Sequence, residues 1–183
     1  SKPVLIRAVG RSLTQFSLSA SEVLSRPSIS VIRHSTQSVV ASNSDWGSNP
    51  AISTLSSDVG AFALLAPTGS ATDAAVICNL PPGDYSAVIT GVGGSTGIVL
   101  GEVYDASGPE PIAVNGEASS ETQVVNLASR AYVDAGQRMM FGSFVVSGTS
   151  PRFVLIQAVG PSLWDGMFPG ALSNPIIQLY RKT

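Results

Sequence analysis

The sequence predicts an all-β protein: an antiparallel β-sandwich, of jelly-roll or immunoglobulin-like double-sheet type, with one or two short helices. Short runs rich in Val, Ile, Phe and Tyr recur along the 183 residues, between clusters of Gly, Pro, Asn and Asp. Charged residues make up 12% of the chain, about half of the roughly 25% usual in soluble domains. The run at residues 85–91 carries apolar residues on both faces, which is typical of a strand covered on both sides.

Ten runs have the length and composition of strands, enough for a double sheet. The turns between them have suitable chemistry: in Pro81-Pro82-Gly83-Asp84, proline supplies a fixed φ and glycine tolerates a positive one. The predicted strands span residues 4–9, 28–33, 38–41, 74–80, 85–91, 97–104, 123–127, 139–146, 153–159 and 176–181.

One helix is predicted between residues 49 and 60. Asn49 can cap it, Pro50 suits the first helical position, and Gly60 is a natural stop. A second helical turn is predicted at residues 19–24. We expect both to lie at an end of the sandwich, where they would cover an open edge of the core.

The composition excludes several classes of partner. The net charge of −2 offers no cationic surface for nucleic acid. The longest apolar stretches fall far short of the roughly 18 residues that span a bilayer, so no membrane span is predicted. Cys78 is the single cysteine and lies in an apolar run, which predicts a buried thiol.

The sequence predicts neither an enzyme nor a cofactor. His34 is the only histidine, and no Gly-x-Ser-x-Gly turn supplies a serine nucleophile. Neither His34 nor Cys78 has a second ligand at metal-binding spacing.

The loop at residues 43–49 is the one metal candidate, because Asp45, Asn43 and Asn49 could offer oxygens to Ca²⁺. It lacks several carboxylates, so a loop of Asx turns pinned by a buried Trp46 is the favoured interpretation.

The chain contains an internal duplication. Residues 4–13, VLIRAVGRSL, recur as residues 154–163, VLIQAVGPSL, with eight of ten positions identical. The match resumes with a two-residue shift, since residues 24–29 align with residues 172–177. The first and last thirty or so residues are therefore copies of one unit.

Several motifs accompany the duplicated run. They are Asp45-Trp46-Gly47, Gly60-Ala61-Phe62-Ala63-Leu64, Leu80-Pro81-Pro82-Gly83-Asp84-Tyr85, residues 96–105, TGIVLGEVYD, and Asn126-Leu127-Ala128-Ser129-Arg130. As a set, they resemble a tandem repeat unit of large exported bacterial surface proteins. The resemblance implies an extracellular or cell-surface location and no catalytic residues. It also implies a circularly permuted frame, because in that family the block resembling residues 126–146 comes first and Glu-Val-Tyr-Asp closes the repeat.

The permuted frame predicts three segments. Residues 1–105 form a sandwich repeat without its leading strands, residues 106–121 a linker or crossover, and residues 122–183 the start of the next repeat. Two closures are open. In the first, residues 122–149 fold back and complete the first sandwich. In the second, the C-terminal segment completes a neighbouring subunit, or two half-sized sandwiches stack. Either closure leaves strands to meet another chain by edge pairing.

We therefore expect a structural subunit of an extracellular bacterial filament or surface layer, with itself as partner, assembling head to tail through β-strand and apolar contacts. The alternative is a stalk or glycan-binding module of a large secreted adhesin, with a cell-surface glycan as partner. The aromatic loop around Trp164 is either a cap of the sandwich or an anchor between subunits. The candidate contact residues are Val4, Leu5, Ile6, Phe153, Leu155, Trp164, Met167, Phe168, Ile177 and Leu179.

Overall fold

The computed structural model describes residues 1–107, 127–130, 140, 142–144, 153–160 and 170–180. The chain divides into two compact units, Ser1–Asn126 and Leu127–Thr183. Most of the predicted linker, residues 108–121, lies outside the described residues. Each unit is described by itself.

The described part of the first unit is built from two three-stranded antiparallel sheets, which confirms the all-β, sandwich-like class. The first sheet has the order β4-β1-β6 and the second the order β3-β2-β5. Helix α1 spans Pro50–Asp58, and two 3₁₀ turns span Arg11–Phe16 and Val92–Gly94. The strands are β1 Lys2–Val9, β2 Pro27–Arg33, β3 Ser38–Asn43, β4 Ala74–Leu80, β5 Tyr85–Gly91 and β6 Leu100–Asp105.

The central strand of each sheet contributes to the inner core. Val4, Ile6 and Ala8 on one face of β1 pack in one buried cluster with Ile29 and Val31 of β2. Strand β2 alternates, with Ser28 and Ser30 on its other face and less buried. The second sheet therefore has one apolar face and one face of mixed character, where hydroxyl side chains lie beside Ile32 and the exposed Val88, as expected of an antiparallel sheet that meets water on one side.

The other face of β1 is also covered. Leu5 packs with Trp46, Ile52 of α1 and Ala75 of β4. The predicted helix is confirmed, with the Asn49 side chain accepting a hydrogen bond from the Ala51 N–H. Its predicted position at an open edge is wrong: α1 packs on the outer face of the first sheet, because that face is apolar and has no second sheet over it.

The second predicted helical turn is found only as a hydrogen-bonded turn at residues 20–22, and it does not extend over residues 19–24. The Leu24 N–H donates to the Ile98 carbonyl, and the Ile98 N–H donates to the Glu22 carbonyl, each at 2.8 Å. These bonds between distant segments take the backbone groups that a helix would use. The short helix instead follows β1 directly, at Arg11–Phe16.

The six strand predictions that fall within residues 1–107 are confirmed, and those for β4 and β5 match the observed bounds. In the second unit, residues 153–159 and 176–180 are not strands, so the predictions there are wrong for the described residues. Residues 127, 140 and 142–144, which belong to the predicted strands 123–127 and 139–146, are not strand residues either. The other residues of these two predicted strands lie outside the described part of the chain. A strand exists only as part of a hydrogen-bonded ladder, and no described residue pairs with these segments.

Candidate assembly surface

Both copies of the duplicated unit have the same close contact between a glycine and a distant backbone carbonyl. A Cβ added to Gly10 would stand 1.9 Å from the Leu24 carbonyl oxygen, and one added to Gly160 would stand 1.9 Å from that of Leu172. The second glycine–leucine pair is two residues closer together in the sequence than the first, which is the same two-residue shift that the alignment of the copies shows. In each copy the chain leaving the first segment touches the backbone that leads into the second, and only glycine allows so close an approach.

The first segment is enclosed in one copy and open in the other. Strand β1 lies between β4 and β6, and its Leu5 is 0% exposed. Its counterpart Leu155 is 82% exposed. The neighbouring apolar residues follow the same pattern, because Val154, Ile156 and Val159 are all exposed although their counterparts in β1 are buried.

The second segment repeats this contrast. Ile29 and Val31 of β2 are fully buried between β3 and β5, whereas their counterparts Ile177 and Leu179 are exposed. We call residues 153–159 and 175–180 the open copy. Its exposed large apolar side chains are Phe153, Val154, Leu155, Ile156, Val159, Ile176, Ile177, Leu179 and Tyr180.

The open copy also lacks the residues that usually keep sheet edges apart. Residues 153–159 read FVLIQAV and residues 175–180 read PIIQLY, with no Lys, Arg, Asp or Glu in either run. Charged residues along an exposed strand discourage pairing with other chains. An uncharged, β-branched and exposed segment is therefore suited to pairing.

The predicted contact residues fall into three groups. Val4, Leu5 and Ile6 are buried within their own sheet, because β1 is its central strand, so they offer no surface to another chain. Trp164, Met167 and Phe168 lie outside the described residues. The exposed group, in the open copy, consists of Phe153, Leu155, Ile177 and Leu179.

A buried ion pair distinguishes the two copies. Arg7 of β1 is 0% exposed, and its Nε lies 3.0 Å from Glu102 Oε2 on β6. Its Nη1 donates to the Phe62 carbonyl at 2.8 Å, and its guanidinium lies 4.7 Å from the centre of the Phe62 ring. The open copy has Gln157 at this position. Arg7 was not among the residues predicted from the sequence, although a lone arginine in an apolar strand was the available signal.

The same carboxylate contacts Tyr104, whose hydroxyl donates to Glu102 Oε1 at 2.8 Å. Burial of the phenol, reinforced by that hydrogen bond and the nearby negative charge, raises the pKa of Tyr104 to about 12. Arg7, Glu102 and Tyr104 therefore form one polar group within the apolar covering of the first sheet.

A second buried network fixes the corner after β1. Asp73 is 0% exposed and accepts hydrogen bonds from the Gly10 N–H at 2.8 Å and the Ser12 N–H at 3.2 Å. The Ser12 hydroxyl donates to the same carboxylate and accepts from the Leu65 N–H at 2.7 Å. These bonds hold the turn that begins the Arg11–Phe16 helix.

Each of the three predicted calcium ligands uses its Oδ1 atom to accept hydrogen bonds from the protein. Asp45 Oδ1 accepts from the Thr72 hydroxyl at 2.7 Å and from the Gly47 N–H at 2.9 Å, which lowers the pKa of Asp45. Asn43 Oδ1 accepts from the Asp45 N–H at 3.0 Å, and Asn49 caps α1. Trp46 is buried behind them, as the Asx-turn interpretation expects. In the described ranges, no three His, Cys, Asp or Glu side chains are grouped closely enough to hold a metal ion.

The structure brings His34 and Ser86 together, a pair that the sequence analysis did not identify. His34 Nε2 and Ser86 Oγ are 2.6 Å apart on the exposed surface of the second sheet. No carboxylate of the described residues hydrogen-bonds to the ring. Cys78 lies on β4 of the other sheet, where burial raises the pKa of its thiol. A cavity of about 230 Å³ beside α1 has no ionisable side chain in its lining, which includes Trp46, Ile52, Ser56 and Leu64.

No family model, curated protein or solved structure matches this chain. Among the described residues, no helix has both the length and the apolar character that crossing a membrane requires.

Proposed function

We propose that this protein is a structural, non-catalytic subunit of an extracellular bacterial filament or surface layer, in which copies assemble head to tail. The observation that carries the proposal is the open copy, which repeats the sequence of two buried central strands while its apolar side chains are exposed. In the first unit, the same sequence is covered by flanking strands. The proposal is that another copy of the chain supplies such strands.

The energy available is of the right size for reversible assembly. Covering a side chain such as Leu155 or Ile176 contributes about 1.5–3 kcal/mol. For the whole open copy, this amounts to a gross gain on the order of 10 kcal/mol. Association itself costs about 4–15 kcal/mol, so the backbone hydrogen bonds of strand pairing are needed as well. Assembly should therefore depend on protein concentration.

The difference between the two surfaces favours an open chain of subunits over a closed dimer. The exposed segments of the open copy belong to one unit, and the sheet edges that could receive them belong to the other. A contact between two different surfaces leaves one of each free at the ends, and it propagates unless a rotation closes it into a ring. A filament or layer is the expected product.

The edges of the first unit support the same proposal. In the part of the first unit that the structure describes, strands β3, β4 and β5 each form an outer edge of a sheet, and they contain no charged residue. Natural proteins usually protect such edges with charge or proline. The low overall charge is consistent with a protein whose sheets associate.

Negative-stain electron microscopy and light scattering over a concentration series test the proposal. The wild type should form elongated assemblies, and Leu155→Lys should abolish them, because it places a charge in the open copy. The matched control is Ile98→Lys, at an exposed apolar position that lies outside the six strands. Monomeric wild-type protein at every concentration would contradict the proposal, and reproducible hits on a glycan array would then favour the adhesin alternative.

A further inference from the structure

We propose that residues 153–159 of one copy pair with the free edge of β4 in a second copy, and so extend the first sheet to four strands. This inference rests on the proposed assembly and specifies its contact. Four edges are available in the described part of the first unit, formed by β4 and β6 in one sheet and β3 and β5 in the other.

The second sheet does not suit the open copy. Residues 153–159 are apolar on both faces, since Val154 and Ile156 alternate with Phe153, Leu155 and Val159. A strand of this kind needs a sheet whose two faces are both covered. One face of the second sheet presents hydroxyl side chains, including Ser28, Ser30, Ser86 and Thr90. Adding the strand at β3 or β5 would leave one of its apolar faces in water.

In the first sheet, the edge at β6 is protected. Strand β6 contains Glu102 and Asp105, and Asp105 lies 2.7 Å from the Lys2 amine in an ion pair. Charges along an edge strand oppose the approach of another strand, because pairing would remove their hydration.

The edge at β4 has the complementary properties. Its residues read AAVICNL, without charge. Val76, Cys78 and Leu80 belong to the inner core yet are only half-buried, and Ile77 on the outer face is 38% exposed. Apolar surface therefore remains to be covered on both faces of β4, which matches the two apolar faces of the incoming segment.

Strand β4 already pairs with a segment of nearly the same sequence. Along its paired edge, β4 is antiparallel to β1, with Val4 opposite Cys78 and Ile6 opposite Val76. The side chains of β4 thus accommodate the run Val-Leu-Ile-x-Ala-Val as a neighbour. In the same register at the outer edge, Val154 would lie opposite Cys78.

The replacement of Arg7 by Gln157 explains why the segment adds to the sheet and does not replace β1. Between β4 and β6, Gln157 would face Glu102, whose carboxylate would lose the guanidinium that now lies 3.0 Å away. At the outer edge of β4, the neighbours on that face are Ala75 and Ile77, which carry no charge. Glutamine is compatible with the second environment and not with the first.

Two lysine variants separate the edges. Ile77→Lys on β4 and Val103→Lys on β6 change side chains that are 38% and 37% exposed, so their effects on folding should be similar. Light scattering of the full chain should show that Ile77→Lys raises the concentration needed for assembly at least tenfold, while Val103→Lys leaves it within twofold. Equal effects, or a larger effect of Val103→Lys, would overturn the choice of β4. Circular dichroism checks that both variants fold.

The native thiol supplies a direct test of the register. Cys78 is the only cysteine, so Val154→Cys creates a single possible pair of unlike cysteines. Mild oxidation of assembled protein should give chains linked through Cys78, because opposite residues in paired strands meet the distance requirement of a disulfide. The control Leu155→Cys places the thiol on the other face and should give at least tenfold less of that linkage. Assembly without the Val154→Cys linkage would overturn this inference but not the proposed function, whereas a wild type that never assembles would refute both.

Discussion

Replacing Arg7 by Gln, the residue of the open copy, should destabilise the first unit strongly. The guanidinium is fully buried and Glu102 is 14% exposed, so the variant leaves a carboxylate that is largely removed from water without its cation. Breaking one partner of a buried pair costs about 3–5 kcal/mol. The hydrogen bond from Tyr104 and the residual exposure of Glu102 place the expected loss near about 3 kcal/mol.

Urea unfolding followed by Trp46 fluorescence measures this loss. Trp46 is buried beside β1, and the background substitution Trp164→Phe makes it the only tryptophan. Arg33→Gln is the matched control, because Arg33 is half-exposed and lies 5.9 Å from the ring centre of Tyr85; its effect should stay within about 0.5 kcal/mol.

The double variant Arg7→Gln/Glu102→Gln decides whether the lost pair is the cause. Removing the orphaned charge should restore most of the stability, which gives a coupling free energy of about 1–3 kcal/mol. If Arg7→Gln costs no more than Arg33→Gln, or if the two changes are simply additive, the reasoning about this pair is refuted.

Three further predictions concern the first unit. Gly10→Ala would place a Cβ 1.9 Å from a backbone oxygen and should lower the free energy of unfolding by at least about 2 kcal/mol. The control Gly47→Ala meets open space and should lower it only by the roughly 1–2 kcal/mol that a left-handed backbone conformation costs a residue with a Cβ. Urea unfolding compares the two variants. Absorbance at 295 nm should show a phenol titrating near pH 12 that Tyr104→Phe removes, and because the folded pKa is raised, stability should fall as the pH rises above 10. Burial opposes ionisation of Asp105, but hydrogen bonds from Lys2 and Ser107 outweigh it and lower its pKa. The contribution of Asp105 to folding stability is therefore present above its unfolded pKa and lost as the pH falls through its folded pKa. Asp105→Asn should flatten the acid side of the profile of stability against pH, and an unchanged profile would contradict this.

Local chemistry made much of the first unit predictable. Asn49, Pro50 and the apolar stripe specify α1, and the turn from Pro81 to Asp84 sets the bounds of β4 and β5. Strand order was not predictable, because β1 pairs only with distant strands, β4 and β6, and β2 pairs with the distant β5 as well as with its neighbour β3. The helical turn predicted at residues 19–24 is confined to residues 20–22 for the same reason, since Ile98 comes from a distant part of the chain.

The assembly surface was predictable only in part. Exposed apolar residues such as Leu155 could be proposed from the duplication, but the sequence could not tell which copy is covered, so Val4, Leu5 and Ile6 were proposed beside them. The difference between copies depends on flanking strands that the first unit has and the described part of the second unit lacks. The role of Arg7 likewise needed the register that places Glu102 opposite it.

Hydrogen exchange at the backbone amides of residues 153–159 tests the central claim most directly. The measurement compares dilute protein with assembled protein, and the amides of β1 serve as an internal reference that should be protected in both. The amides of residues 153–159 should exchange rapidly in dilute protein and become protected on assembly, because another copy then pairs with them. Protection that is the same at every concentration, or absent from the assembled protein, would contradict the claim that a second copy covers this segment.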